Sequence, residues 1–263
     1  MLVVIASAAI FADLLPLKDP LAQDAFGRLL PPGEGFFFGT DNFGRDVFSR
    51  IVYGSRSSLY IAIVSVTLGT LIGTVVGTVS AYRGGWVDSL LQRITDALLG
   101  FPVLVLAIIL VVALRPSANT VMIAIAVGIT PQMVRLARSR SLSIKEETFI
   151  LTARAQGVSS PRIVFKHVLP HAFSPILAYA TGYVGIALIA ESALNFLGLG
   201  VPPPSPTWGG ILQESRSYME AAPWLAVFPG LVLSLTAFSF VFLGDAIRDR
   251  LDPRARYSPN NRG

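Results

Sequence analysis

The sequence contains no cysteine and only two histidines, and 14% of its 263 residues carry a formal charge. The first absence excludes a disulfide framework, a thiolate nucleophile and a cysteine-built metal centre. His167 and His171 stand four apart, a spacing that presents two metal ligands on a continuous helix, but Pro170 falls between them and no carboxylate or cysteine completes a set. No metal site is expected. No Gly-x-x-x-x-Gly-Lys-Ser/Thr loop occurs, so nothing in the chain cradles ATP phosphates, and no Ser-His-Asp or His-Glu-x-x-His arrangement supports a hydrolase. The chain is therefore not expected to be an enzyme in its own right.

The scarcity of charge needs an explanation, since soluble domains carry about 25% charged residues. Here 52% of the residues are hydrophobic, and they are gathered into runs rather than scattered. A helix of about 20 residues crosses the hydrocarbon of a bilayer. Five runs meet that length: Ser57 to Tyr82, Ile94 to Leu114, Thr120 to Ala137, Phe173 to Leu197 and Trp224 to Ile247. Met1 to Leu15 is apolar but short, and lacks the basic lead-in of a signal peptide. It reads as a first membrane helix whose beginning is very short or missing from this start site. The expectation is an all-α, polytopic membrane protein of about six spans.

A net charge of +5 raises the question of nucleic acid, but the charges sit between apolar runs, and the aromatic residues are mostly Phe embedded in those runs. Neither a basic face nor a stacking platform results, so no nucleic-acid partner is expected. With both termini placed in the cytoplasm, the 21 lysines and arginines divide fourteen to seven in favour of inner segments. Arg45, Arg50 and Arg56 are the main dissent from that orientation.

Four regions result from this division. Residues 1–15 form the first helix, 16–56 an extracytoplasmic segment rich in Gly, Pro and Phe, 57–247 the transmembrane core, and 248–263 a cytoplasmic tail. The tail begins in a charged boundary of Asp245, Arg248, Asp249, Arg250 and Asp252. Val201 to Gly210, VPPPSPTWGG, reads as stiff polyproline-like chain ending in a turn. Within the core, residues 138–171 form the longest polar inner stretch, and its local signals describe two short helices separated by a tight turn. Gly157 suits the stop of the first, Ser160 and Pro161 the start of the second with a hydroxyl cap, and Pro170 closes or kinks that second helix. Ile163, Val164, Phe165 and Val168 give it an apolar side that needs a partner surface.

Two features inside the spans have open readings. Gly69, Gly73 and Gly77 share one helix face and let another backbone approach, either within this chain or at a seam with a partner. Glu191 and Asn195, one turn apart in the fourth of the long runs, either line a translocation path near its outer mouth or form a hydrogen-bonded clamp.

The stretch from Leu151 to Pro170 resembles the cytoplasmic loop of inner-membrane permeases of binding-protein-dependent ABC importers, in the dipeptide, oligopeptide and nickel group. Ala153, Gly157, Leu169 and Pro170 match that family's signature, whereas Leu151 and Thr152 stand where it has Glu and Ala. FGTDNFGRDVFSRIVYGSRSSL, YRGGWVDSLLQRITDALLGFP, ESALNFLGLGVPPPSPTWG, APWLAVFPG and LGDAIRDRLDPR are similar to further phrases of the same group, in the same order. The resemblance implies a subunit forming half of a translocation path, for di- or oligopeptides first and for nickel, glutathione-like or other small solutes as alternatives. A secondary transporter is the competing class, without the internal repeat such folds show.

The resemblance further implies a prokaryotic plasma (inner) membrane and a second homologous permease as heterodimer partner. It also implies two ATPase subunits that bind the ATP and Mg, and an extracytoplasmic binding protein; no cofactor is expected on this chain. The loop would be the coupling helix seated on the ATPase, through Ala153, Gly157, Ser160, Pro161, Ile163, Phe165, Leu169 and Pro170.

Overall fold

A computed structural model describes residues 1–33 and 35–251. The tail beyond Leu251, including Asp252, lies outside them. All regular elements among the described residues are helical: α1 (Leu2–Ile10), α2 (Val47–Arg83), α3 (Gly85–Leu99), α4 (Val103–Leu114), α5 (Ala118–Lys145), α6 (Thr148–Ala155), α7 (Ser160–Ile163), α8 (Leu169–Phe196), α9 (Trp208–Ser215) and α10 (Trp224–Leu251). A π-helical turn, Val164–Val168, joins α7 to α8.

Among the described residues, four helices are long and apolar enough to cross a membrane: α2, α5, the run Ser160–Phe196 and α10. The expected span from Ile94 to Leu114 is instead a bent pair, α3 and α4, meeting at 90°. The break falls at Gly100-Phe101-Pro102. Pro102 has no N–H to donate and disfavours helical backbone in the residue before it, so α3 stops and α4 starts afresh. At nine residues, α1 is too short to span as the structure has it. Helix α2 begins at Val47, and its 37 residues extend about 55 Å, well beyond the hydrocarbon.

The chain forms two compact units. The first comprises Met1–Ser65, Ala107–Ile125 and Val184–Phe240; the second comprises Val66–Leu106, Ala126–Tyr183 and the stretch from Val241. In the first unit, residues 35–46 are held against helices. Phe38 stacks on Phe228 with ring centroids 4.1 Å apart, and the Trp224 indole donates to the Thr40 carbonyl at 3.2 Å. The stiff proline segment ends where Thr207 caps α9, its hydroxyl accepting from the Gly210 N–H at 3.0 Å. Trp208 follows, fully buried, and its ring donates to the Ile51 carbonyl at 3.0 Å.

In the second unit, α2 packs on α5 through the glycine face. A Cβ on Gly69 would lie 2.9 Å from the Ala126 carbonyl oxygen, one on Gly73 would overlap Met133, and one on Gly77 would overlap the Val134 carbonyl. Side chains there would push the helices apart.

Candidate coupling surface and buried polar networks

The segment from Thr148 to Pro170 is shaped by backbone chemistry that its sequence announces. Helix α6 ends on Gly157, whose φ of +78° is the left-handed conformation glycine adopts without strain. The Gly157 N–H donates to the Arg154 carbonyl at 2.9 Å and the Val158 N–H to that of Ala153 at 3.1 Å, closing the last carbonyls of α6 in a Schellman arrangement. Val158 and Ala153 then both pack against a small core made by Ile150, Ile163 and Val168, beside Tyr82 and Ile144.

Two local details differ from the sequence expectation. The N-cap of α7 is Ser159, with Ser160 already helical, and no hydroxyl cap bond forms. Pro170 neither closes nor breaks the second helix: the chain runs on as helix from Ser160 to Phe196. The π turn immediately before Pro170 explains this. A proline ring clashes with the carbonyl four residues earlier, here Lys166, and lacks the N–H that carbonyl would receive; the wider turn moves that carbonyl out of register.

This folding sorts the apolar residues into two sets. Ile163 is fully buried, as are Ile150 and Val168, whereas Phe165 is 72% exposed and Leu151 52%. Ala153 and Leu169 are half-buried; Gly157, Ser160, Pro161 and Pro170 lie at the surface. Of the eight residues singled out for coupling, Ile163 thus supports the segment from inside, and Phe165 is the large apolar group left without internal cover. His171 bonds through Nδ1 to the His167 carbonyl at 2.6 Å, and the Phe149 ring lies 5.2 Å from it. Among the described residues, no group of three or more His, Cys, Asp or Glu is placed to hold a metal ion.

The first unit holds Glu191 in a closed network. The carboxylate is fully buried and Asn195 nearly so. It accepts from the Ser58 hydroxyl at 3.3 Å, the Ser192 hydroxyl at 3.0 Å and the Asn195 amide at 2.8 Å. Asn195 in turn accepts from the Val201 N–H at 2.8 Å, which ties the start of the proline segment to α8. Ser58 accepts from the Trp208 N–H at 3.2 Å, which ties its end to α2. Three neutral donors satisfy the carboxylate, with no cation paired to it among the described residues.

A second network was not anticipated from the sequence. Arg50 is 2% exposed and meets both Asp41 and Glu214; Arg45 pairs with Asp41 at 2.6 Å and with Glu214 at 2.7 Å. Arg56 donates to the carbonyls of Ala9 and Ile10 and pairs with Asp13 at 2.9 Å. The three arginines that dissent from the charge bias are therefore all engaged by groups of the fold, Arg45 and Arg50 in its interior and Arg56 at an exposed edge. The only hint in the sequence is the density of opposite charges in TDNFGRDVFSR; the partner Glu214 is far along the chain. In the second unit Asp88 receives two bonds from Arg138, at 2.7 and 2.6 Å.

Comparison with known proteins adds three findings. The family described as "Binding-protein-dependent transport system inner membrane component" matches residues 69–257. The chain is 43% identical over 248 residues, 94% of its length and 82% of the relative's, to the dipeptide transport system permease protein DppC of Alkalihalophilus pseudofirmus. It is 41% identical over 86% of its length, and 75% of the relative's, to the glutathione transport system permease protein GsiD of Pectobacterium atrosepticum. Among solved structures, an inward-facing form of the MetNI methionine ABC transporter superposes with a TM-score of 0.64 at 20% identity, covering 77% of this chain and 96% of that one. At that identity the likeness establishes the fold alone.

Proposed function

We propose that this chain, which belongs to the family of inner membrane components of binding-protein-dependent transport systems, forms one half of the peptide path of an ATP-driven importer. The observation that carries the substrate class is the 43% identity to a dipeptide permease across 94% of the chain. The reading places the chain in a prokaryotic plasma membrane with both termini in the cytoplasm. It is paired there with a second, related permease, served by two ATPase subunits that bind ATP and Mg and by an external binding protein.

In this reading the surface of α6, α7 and the π turn sits on an ATPase subunit. Phe165 is its apolar anchor, and Pro161, Gly157 and Pro170 shape the surface around it; Ile163 and Ala153 hold the segment rigid from beneath. A segment held by its own core transmits displacement, where a loop would absorb it. ATP binding and substrate release then favour different states of one assembly, which is what coupling requires thermodynamically. The closed network favours Glu191 and Asn195 as the clamp of the proline segment rather than as groups lining the path. Gly69, Gly73 and Gly77 act as the close-packed seam between α2 and α5.

A second substrate reading, glutathione, is favoured by the GsiD relative. The test is to purify the complete complex with its binding protein, reconstitute it, and measure ATP hydrolysis across a panel of dipeptides, longer peptides, glutathione and nickel. Stimulation by dipeptides is the expected result. Stimulation by glutathione alone would move the assignment to the second reading, and stimulation by nickel alone would overturn both.

A further inference from the structure

One face of α3 is left largely uncovered by the described residues. Trp86, Leu90 and Ile94 fall within about 80° of one another around its axis, and they are 76%, 49% and 51% exposed. The opposite side is fixed to the second unit: Arg138 donates twice to Asp88, Gln92 donates to the Ser80 hydroxyl at 2.9 Å, and Thr95 is buried. Ser89, Arg93 and Asp96 make a third sector, polar and exposed, in which Asp96 pairs with Arg135 at 2.7 Å. Helix α3 thus has three kinds of side in succession, one held by protein, one apolar and one charged.

Two observations say what meets the apolar side. The first is depth: Ser80 stands three residues before the end of α2, and Arg138 and Arg135 seven and ten residues before the end of α5, so α3 lies beside the last turns of two membrane-crossing helices. The second is direction. Helix α4, VLVLAIILVVAL, has no polar side chain and belongs in hydrocarbon; its first residue, Val103, already lies against Gly128, seven residues further into α5 than Arg135; and α3 meets α4 at 90°. A helix at right angles to chain entering the bilayer, at the level where the spans end, runs along the membrane surface. Were α3 to cross the bilayer instead, Arg93 and Asp96 would be carried into lipid at a cost of several kcal/mol. Were its apolar side in water, a tryptophan and two aliphatic side chains would stay hydrated with nothing gained.

We infer that α3 is an interfacial helix, its Trp86, Leu90 and Ile94 side sunk into the boundary between lipid headgroups and acyl chains and its Ser89, Arg93 and Asp96 side turned to water. Only the family's place in a membrane is carried over to this assignment; the substrate and the ATPase contact are not. The lipid surface then braces both neighbouring spans. The Asp88 pair with Arg138 fastens α3 to the end of α5, and the sharp turn at Gly84 and Gly85, both at positive φ, fastens it to the end of α2.

Trp86 is itself the probe. The whole complex is placed in phosphatidylcholine nanodiscs containing lipids with a nitroxide either near the headgroup or near the end of the acyl chain, and the Trp86 signal is taken as the difference in fluorescence between the unmodified complex and its Trp86→Phe variant. At a depth of roughly 5–10 Å the shallow nitroxide should quench that signal at least about three-fold more than the deep one, and aqueous iodide should quench it least. Stronger quenching by the deep nitroxide would make α3 part of a span, and stronger quenching by iodide would put its apolar side in water; either result overturns the proposal. Quenching by none of the three would show that another subunit covers the face, and overturns it equally. Because the chain has no cysteine of its own, a second measurement stands if the Trp86→Phe complex fails to assemble: a nitroxide on Leu90→Cys should be reached by oxygen dissolved in the bilayer, and one on Ser89→Cys by a water-soluble nickel chelate. Equal access of the chelate to both positions would refute the assignment. None of these outcomes depends on which solute stimulates ATP hydrolysis, so a failed substrate assignment leaves the interfacial helix standing, and the reverse.

Discussion

Arg50 and Arg140 are the same residue type in two helices of one chain, and they are treated oppositely. Arg50 is shut away with Asp41, Arg45 and Glu214, every charge answered by another within the fold. Arg140 borders an open cavity that Arg248 and Glu147 also line, and it makes no ion pair among the described residues. The same contrast separates two sets of apolar residues: Trp208 is fully buried, whereas Phe165 and Leu151 stand out from the coupling segment at 72% and 52% exposure. Polar groups satisfied inside the chain serve to hold a shape. Groups left without internal partners at a structured surface are available to something else, whether lipid or another subunit.

The sharpest way to break this comparison is to remove one member of the closed set. Arg50→Met should leave the buried Asp41 and the partly exposed Glu214 with Arg45 as their one remaining cation, at a cost of about 1.5–3 kcal/mol. Thermal unfolding of the purified complex, or its yield from membranes, reports the loss; an unchanged midpoint would mean that the network is not what holds residues 41–50 to α9. A smaller effect is expected at Glu191. Glu191→Ala deprives three donors of their acceptor and should cost about 1–3 kcal/mol, while Glu191→Gln keeps an acceptor oxygen and should recover part of it. If Glu191→Gln leaves stability intact but abolishes transport, the clamp assignment fails and the residue belongs to the path.

The smallest stability effect is expected on the open side. Phe165→Ala should change unfolding by less than about 0.5 kcal/mol, since the ring is largely in solvent. It should weaken attachment of the ATPase subunits by about 2 kcal/mol, roughly thirty-fold, if the ring is an interface anchor. Co-purification and peptide-stimulated ATP hydrolysis read that loss; full coupling in this variant would remove Phe165 from the interface.

Much of the molecule is legible in its residues alone. Long apolar runs identify spanning helices because hydrocarbon leaves the backbone no alternative partner, and Gly157 identifies a helix end because few residues adopt a positive φ there. Spacing along the chain also places Gly69, Gly73 and Gly77 on one face. It does not reveal which helix that face meets, since small residues permit approach from any neighbour. Pro170 looks like a stop and is not one, because a local rule about one residue does not register a π turn just before it. The Arg50 network is out of reach of such rules, since Asp41 and Glu214 come together only when α9 is laid beside the start of α2.

What the amino-acid sequence determined by itself is therefore whatever depends on neighbours along the chain: an all-helical membrane protein, the helix end at Gly157, and a family signature running from Ala153 to Pro170. The tertiary structure alone decided which of those residues face inward. It buried Ile163 and exposed Phe165, enclosed Glu191 among Ser58, Ser192 and Asn195, paired Arg50 and left Arg140 at an open cavity. The reason is that burial and charge pairing are properties of segments far apart in the chain, and no local pattern encodes which distant side chain will arrive.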